Sequence, residues 1–251
     1  MNSIPQDPFE AWELSPYNSF LFLQYVRYLV SIESLNEYRV YELYRSTMNF
    51  SMQDWPNLAA CALLGDDFLK RVSIELLGHI DSRISLPTLS YIYNQSVNEV
   101  ERGQCLLSMG NSKEKSIVPF VIFAFQSEFS WRVKENACYS LGLIGSELAV
   151  PFLHEVVSDK EGAEVVRHQA LWSIGNITGT IANRRLKRII LDKKIEDVYR
   201  ISAVEWLIGN KLNAAKESFG IIISDEDEET DFKDKIEKIF NNLEEKQKQE
   251  V

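Results

Sequence analysis

The strongest constraint on this chain is a motif that returns every 32 or 33 residues. Val133-Lys134-Glu135-Asn136-Ala137-Cys138-Tyr139-Ser140-Leu141-Gly142-Leu143-Ile144 is answered by Val166-Arg167-His168-Gln169-Ala170-Leu171-Trp172-Ser173-Ile174-Gly175-Asn176-Ile177. The shared pattern is V-[KR]-x-x-A-x-x-x-[LI]-G-x-I. Looser copies run from Leu69-Lys70 to Leu77-Gly78, from Glu101-Arg102 to Met109-Gly110, and from Tyr199-Arg200 to Leu207, with Ile208 in the glycine place. The glycines fall at 78, 110, 142 and 175, in steps of 32, 32 and 33. Pro87, Pro119 and Pro151 keep the same phase, each nine residues after its glycine. Two markers sharing one period identify a repeat array.

Within a unit the apolar positions, Val133, Ala137, Leu141 and Ile144, recur at helical spacing and form one face of a helix. Small residues at the alanine place (Ser73, Cys105, Ala137, Ala170, Ala203) let neighbouring helices approach closely. The glycine is expected to relax the helix end. Each proline is expected in the first turn of the other helix, where its missing N–H costs little. One such hairpin cannot bury its apolar face alone, so copies must stack.

The segment Val166-Arg167-His168-Gln169-Ala170 through Ile174-Gly175-Asn176-Ile177, preceded by Val150-Pro151-Phe152-Leu153 and Asp159, resembles a HEAT repeat of the phycobilisome-lyase-like type. The resemblance implies an all-α, right-handed α-α superhelix, a HEAT-like solenoid of about six helical hairpins. Proline-bearing helices lie outside in that family, and the V-[KR] helices line the concave side.

Extended along the chain, the period gives residues 1–223 as solenoid, with an aromatic-rich capping pair near 18–48. Asp54-Trp55-Pro56-Asn57-Leu58 opens an outer helix that runs to Leu64. Ala182 to Leu191 and Ile195 to Ile208 form the last clear pair, and Asn213 to Ile223 a terminal helix. Residues 224–230 read as an acidic linker, and 231–251 as an amphipathic C-terminal helix with Phe232, Ile236, Ile239, Phe240 and Leu243 at helical spacing.

The formal charge of −10 disfavours nucleic acid as a partner, because duplexes are gripped by cations that release counterions. Three scattered cysteines, Cys61, Cys105 and Cys138, form no disulfide framework and suit a reducing compartment. No targeting or bilayer-length apolar segment is evident, so a cytoplasmic location is the expectation. Phosphate loops, dinucleotide fingerprints and G-x-S-x-G elbows are missing.

Candidate sites come from residues that recur in register. The ridge three residues before the glycine is Glu75, Leu107, Tyr139 and Trp172, with Glu205 in the fifth copy. The ridge seven before it includes Glu135 and His168. Together Glu75, Leu107, Glu135, Tyr139, His168, Trp172 and Glu205 form either a concave partner-binding ridge or a filling between repeats. The basic row Lys70, Arg102, Lys134, Arg167 and Arg200 reads either as a binding stripe or as a ladder tying each repeat to the next. Arg184, Arg185, Lys187 and Arg188, with Lys193 and Lys194, make the one basic cluster. It suits a phosphate backbone, an acidic partner, a solvated face or the chain's own tail. That tail, 224–251, holds eleven acids and five bases.

Arg167-His168-Gln169-Ala170 also resembles the metal-binding His-Glu dyads of deoxyhypusine hydroxylases. Gln169 offers no carboxylate, and His79, His154 and His168 are the chain's three histidines, so no paired ligand set is assembled and neither metal nor cofactor is expected. The expectation is a non-catalytic scaffold, adaptor or inhibitor that holds a protein partner. The alternatives are an immunity-type inhibitor of a toxin and, from the resemblance, a bilin-lyase-like chromophore-handling protein.

Overall fold

The structure, a computed structural model, describes residues 54–249, with side chains described as far as 243. The capping pair expected near 18–48 lies outside the described residues. Those residues form eleven α-helices and no strand. They are α1 (Trp55–Leu64), α2 (Asp67–Leu77), α3 (Ser82–Gln95), α4 (Glu99–Asn111), α5 (Val118–Ser127), α6 (Trp131–Ile144), α7 (Val150–Ser158), α8 (Glu164–Asn176), α9 (Thr180–Leu191), α10 (Asp197–Ser224) and α11 (Thr230–Gln249).

The chain divides into two compact units, ending and beginning at Ile117 and Val118. In the described part of the first, α1/α2 and α3/α4 are successive hairpins, with α1 against α3 and α2 against α4. Asp66 caps α2 by accepting from the Leu69 N–H at 3.0 Å, and Asn98 caps α4 by accepting from Val100 at 2.9 Å. The core is Leu58, Ile74, Leu77, Leu89, Leu106 and Met109, all fully buried. In the second unit α5/α6, α7/α8 and α9/α10 are hairpins. There α8 packs on α6, α10 on α8, and α7 on α9. Val133, Ala137, Leu141, Val166, Ala170, Ile174, Ala203 and Leu207 are buried along the second helices, as the repeat pattern requires.

The glycine has a different task from the one expected. Gly142 and Gly175 lie inside α6 and α8, not beyond their ends. A Cβ on Gly142 would stand 2.7 Å from Ser173 Oγ and 3.0 Å from Ser173 Cα. One on Gly78 would stand 2.7 Å from the Ser108 carbonyl oxygen. Glycine is there because the next second helix presses on its backbone. Ser173 uses the closeness, donating its hydroxyl to the Cys138 carbonyl at 2.7 Å. Asn176 Nδ2 donates to the Gly142 carbonyl at 3.2 Å, and Asn210 Nδ2 to the Gly175 carbonyl at 2.8 Å.

Pro151 sits in the first turn of its helix, as expected. Pro87 does not: it is inside α3, which starts early because Asp81 caps it by accepting from Arg83 N–H at 3.0 Å. The corresponding residues before α5 and α7 turn instead as short 3-10 segments, 115–117 and 147–149. Helix α10 joins the two helices expected at 195–208 and 213–223, across a kink at Lys211 with φ −158° and ψ 80°.

Beyond the kink the period continues. Phe232, Ile236 and Phe240 follow Tyr199, Ala203 and Leu207 at steps of 33, and all three are buried. Phe240 stacks on Phe219 of α10 with ring centres 4.5 Å apart. The acidic segment before α11 carries a structural carboxylate, since the side chain of Glu228 is only 4% exposed.

Candidate functional site

The basic row resolves into a ladder in the second unit. Arg167 Nε donates to the Val157 carbonyl at 2.9 Å, capping the end of α7, while its two other nitrogens donate to both oxygens of Glu196 at 2.9 and 2.5 Å. Arg200 repeats the arrangement one unit on. Its Nε donates to the Ile190 carbonyl at 2.9 Å, and its guanidinium grips Glu228 through both oxygens. Tyr199 and Phe232 lie under Arg167 and Arg200, with ring centres 4.2 and 3.7 Å from the guanidinium carbons. The hydrogen bond from Arg167 holds the Glu196 carboxyl down to about 2. Burial alone would raise the Glu228 carboxyl, but the hydrogen bond and charge of Arg200 outweigh it and lower it. Lys134 breaks the series: Ala163 stands 29 residues on, where Glu196 follows Arg167, and Lys134 lies over the Phe125 ring at 5.2 Å. In the first unit Lys70 reaches Glu101 at 3.6 Å, and Arg102 donates to the Ser96 carbonyl at 3.3 Å.

The basic cluster on α9 and the turn after it pairs in part with the chain's own acids. Lys187 pairs with Glu217 at 3.1 Å and Lys193 with Asp225 at 2.7 Å. Arg184 and Arg188 are exposed, and Arg185 is half-buried. Burial and then the charges of Arg185 and Arg188 depress the titration of His154.

The ridge residues divide between the units. Glu75 and Leu107, both half-buried, lie in the first. Glu135, Tyr139, His168, Trp172 and Glu205 lie in the second, on α6, α8 and α10. There the structure brings most of them together. The Tyr139 and Trp172 rings stack with centres 5.0 Å apart and planes 24° from parallel. His168 lies 4.6 Å from the Tyr199 ring and 3.5 Å from Glu164. A groove of ≈ 420 Å³ opens beside them, lined by Glu135, Val165, His168, Gln169, Trp172 and Trp206, among others. Tyr139 and Trp172 are half-buried, so each serves the packing between helices and the surface at once. Glu205 is exposed on α10, next to Trp206.

The groove residue that register alone does not give is Trp206. Its place relative to Gly175 is that of Ser173 relative to Gly142, 31 residues on. A Cβ on Gly175 would stand 2.1 Å from the indole ring of Trp206. Gln169 lines the same groove, and its Nε2 is buried without an acceptor.

Burial pushes the Cys105 and Cys138 thiols far above their ordinary range, and raises that of Cys61. Among the described residues no group of three or more His, Cys, Asp or Glu converges as a metal site, and no helix is long and apolar enough to cross a membrane.

Residues 86–175 and 118–208 match the family of HEAT repeats. Residues 86–208 therefore carry HEAT repeats, and the described helices are consistent with an all-α solenoid. A solved structure of human deoxyhypusine hydroxylase in complex with glycerol is similar in fold, at 12% identity and a TM-score of 0.40, over 73% of this chain and 83% of that one. No curated protein matches.

Proposed function

We propose that this protein is a non-catalytic scaffold or adaptor that holds a protein partner on the α6–α8–α10 face of its second unit. The observation that carries the reading is the Tyr139–Trp172 stack beside a groove that Trp206 also lines. Large aromatics that are packed on one side and open on the other are the residues that dominate interface energy. The arginine row supports the reading from the opposite direction. Arg167 and Arg200 are consumed in joining repeats, which leaves the ridge as the recurring surface still open to a partner. The repeats are of the phycobilisome-lyase-like type on this reading, by their Val150-Pro151-Phe152-Leu153 and Val166-Arg167 signatures.

The test is affinity capture from the native cell with three chains: the wild type, Trp172→Ala, and Arg184→Glu/Arg188→Glu. A stoichiometric protein retained by the wild type and the α9 variant, and lost by Trp172→Ala at unchanged helicity, is the expected result. Equal retention by all three would remove the groove from the function.

A further inference from the structure

The side chains around the groove state which charge a partner must bring. Glu135 lines it, and Glu205 stands exposed beside Trp206. Neither forms an ion pair among the described residues. Glu164, 78% exposed, adds a third carboxylate beside His168. Arg132, at the start of α6, lies over the Trp131 ring at 5.0 Å. Arg167 and Arg200 are spent in the ladder, and Lys134 lies over the Phe125 ring at 5.2 Å. Aromatic rings bordered by unpaired carboxylates match one kind of side chain, a cation that stacks. An acidic or purely apolar segment would strip water from Glu135 with nothing to replace it, and phosphates would meet the same repulsion.

We infer that the groove receives a basic segment of a partner protein, with an arginine or lysine side chain seated against Trp172 and Trp206 and its charge met by Glu135 and Glu205. This rests on the protein-binding reading above and adds the chemistry of the partner. Arginine suits the site better, because its planar guanidinium stacks on indole and forks onto a carboxylate.

The experiment titrates the full chain with a hexa-arginine peptide, following tryptophan fluorescence at low salt, with a hexa-glutamate peptide alongside. Hexa-arginine quenches the signal saturably and hexa-glutamate does not. Glu135→Gln/Glu205→Gln weakens hexa-arginine about tenfold, the sum of two partly screened charges. Glu226→Gln/Asp227→Asn, on the exposed acidic segment, leaves it within about twofold. Absent quenching, an unchanged affinity in the groove variant, or a loss that follows the acidic segment instead would each overturn the inference. Partner capture that depends on Trp172 while hexa-arginine fails to bind would retire the basic segment alone and leave the protein-binding reading standing.

Discussion

Two glycine-to-alanine substitutions on the same face type should shift stability in opposite directions. Gly142 is in α6, and an added methyl would meet Ser173 Oγ at 2.7 Å and Ser173 Cα and Cβ at 3.0 Å. Because backbone atoms are among those met, a rotamer change cannot relieve the clash, and α8 must move off α6. Overpacking of this kind costs about 2–3 kcal/mol, against about 1 kcal/mol gained by alanine over glycine inside a helix. The net loss is about 1–2 kcal/mol, which for a chain of this size lowers the thermal midpoint by about 2–8 °C. Gly209, inside α10, has nothing within 4 Å of the same added methyl. There only the helix-propensity gain acts, so Gly209→Ala should raise the midpoint by about 1–4 °C. Thermal unfolding by circular dichroism, run at one protein concentration, reads both. A Gly142→Ala midpoint equal to or above that of Gly209→Ala would refute the claim that glycine is placed by contact with the next repeat.

Three further outcomes follow from the ladder and the core. Glu228→Ala strands Arg200, whose side chain is 3% exposed, and should cost about 3 kcal/mol, at the low end for a broken buried pair because Asp197 stays 3.2 Å from it; the fall in denaturation midpoint checks this, and Arg200→Met/Glu228→Leu should recover part of it. Glu196 and Glu228 both titrate below their unfolded values, so their stabilisation is whole above about pH 4.5 and drains as pH falls toward 2. Glu196, with its side chain 44% exposed, adds little of this, so Glu228→Gln should flatten the acid slope measured by unfolding at stepped pH more than Glu196→Gln does. The Cys105 and Cys138 thiols, fully buried, should react with a thiol reagent at least about 100-fold more slowly in the native chain than in denaturant.

The period was legible because it is written twice, once in glycine and once in proline, and it places the second helices correctly. The reason for the glycine was not legible. Helix relaxation and close approach leave the same letter in the sequence, and only the neighbour, Ser173 or Trp206, tells them apart. The basic row was visible as a row, but its acceptors were not. Glu196 and Glu228 lie 29 and 28 residues after their arginines, inside stretches rich in other acids. The continuation into α11 was hidden because its small residue is replaced. Ile236 stands where Ala203 does, and only the valine-place step from Tyr199 to Phe232 keeps the count. In the groove, Tyr139, His168 and Trp172 follow from register, whereas Trp206 sits one residue from the ridge that contains Glu205. It lies in the row that contacts the preceding glycine, and its bulk carries it into the groove where serine at Ser173 stays between helices.

Site-specific photocross-linking in the native cell tests the location of the partner most directly. A benzophenone side chain is placed at Glu135, at Glu205 and, on the first helix of the last full hairpin, at Arg184. The account predicts one protein adduct shared by the Glu135 and Glu205 positions and none at Arg184. An adduct at Arg184 with neither Glu135 nor Glu205 labelled would contradict it.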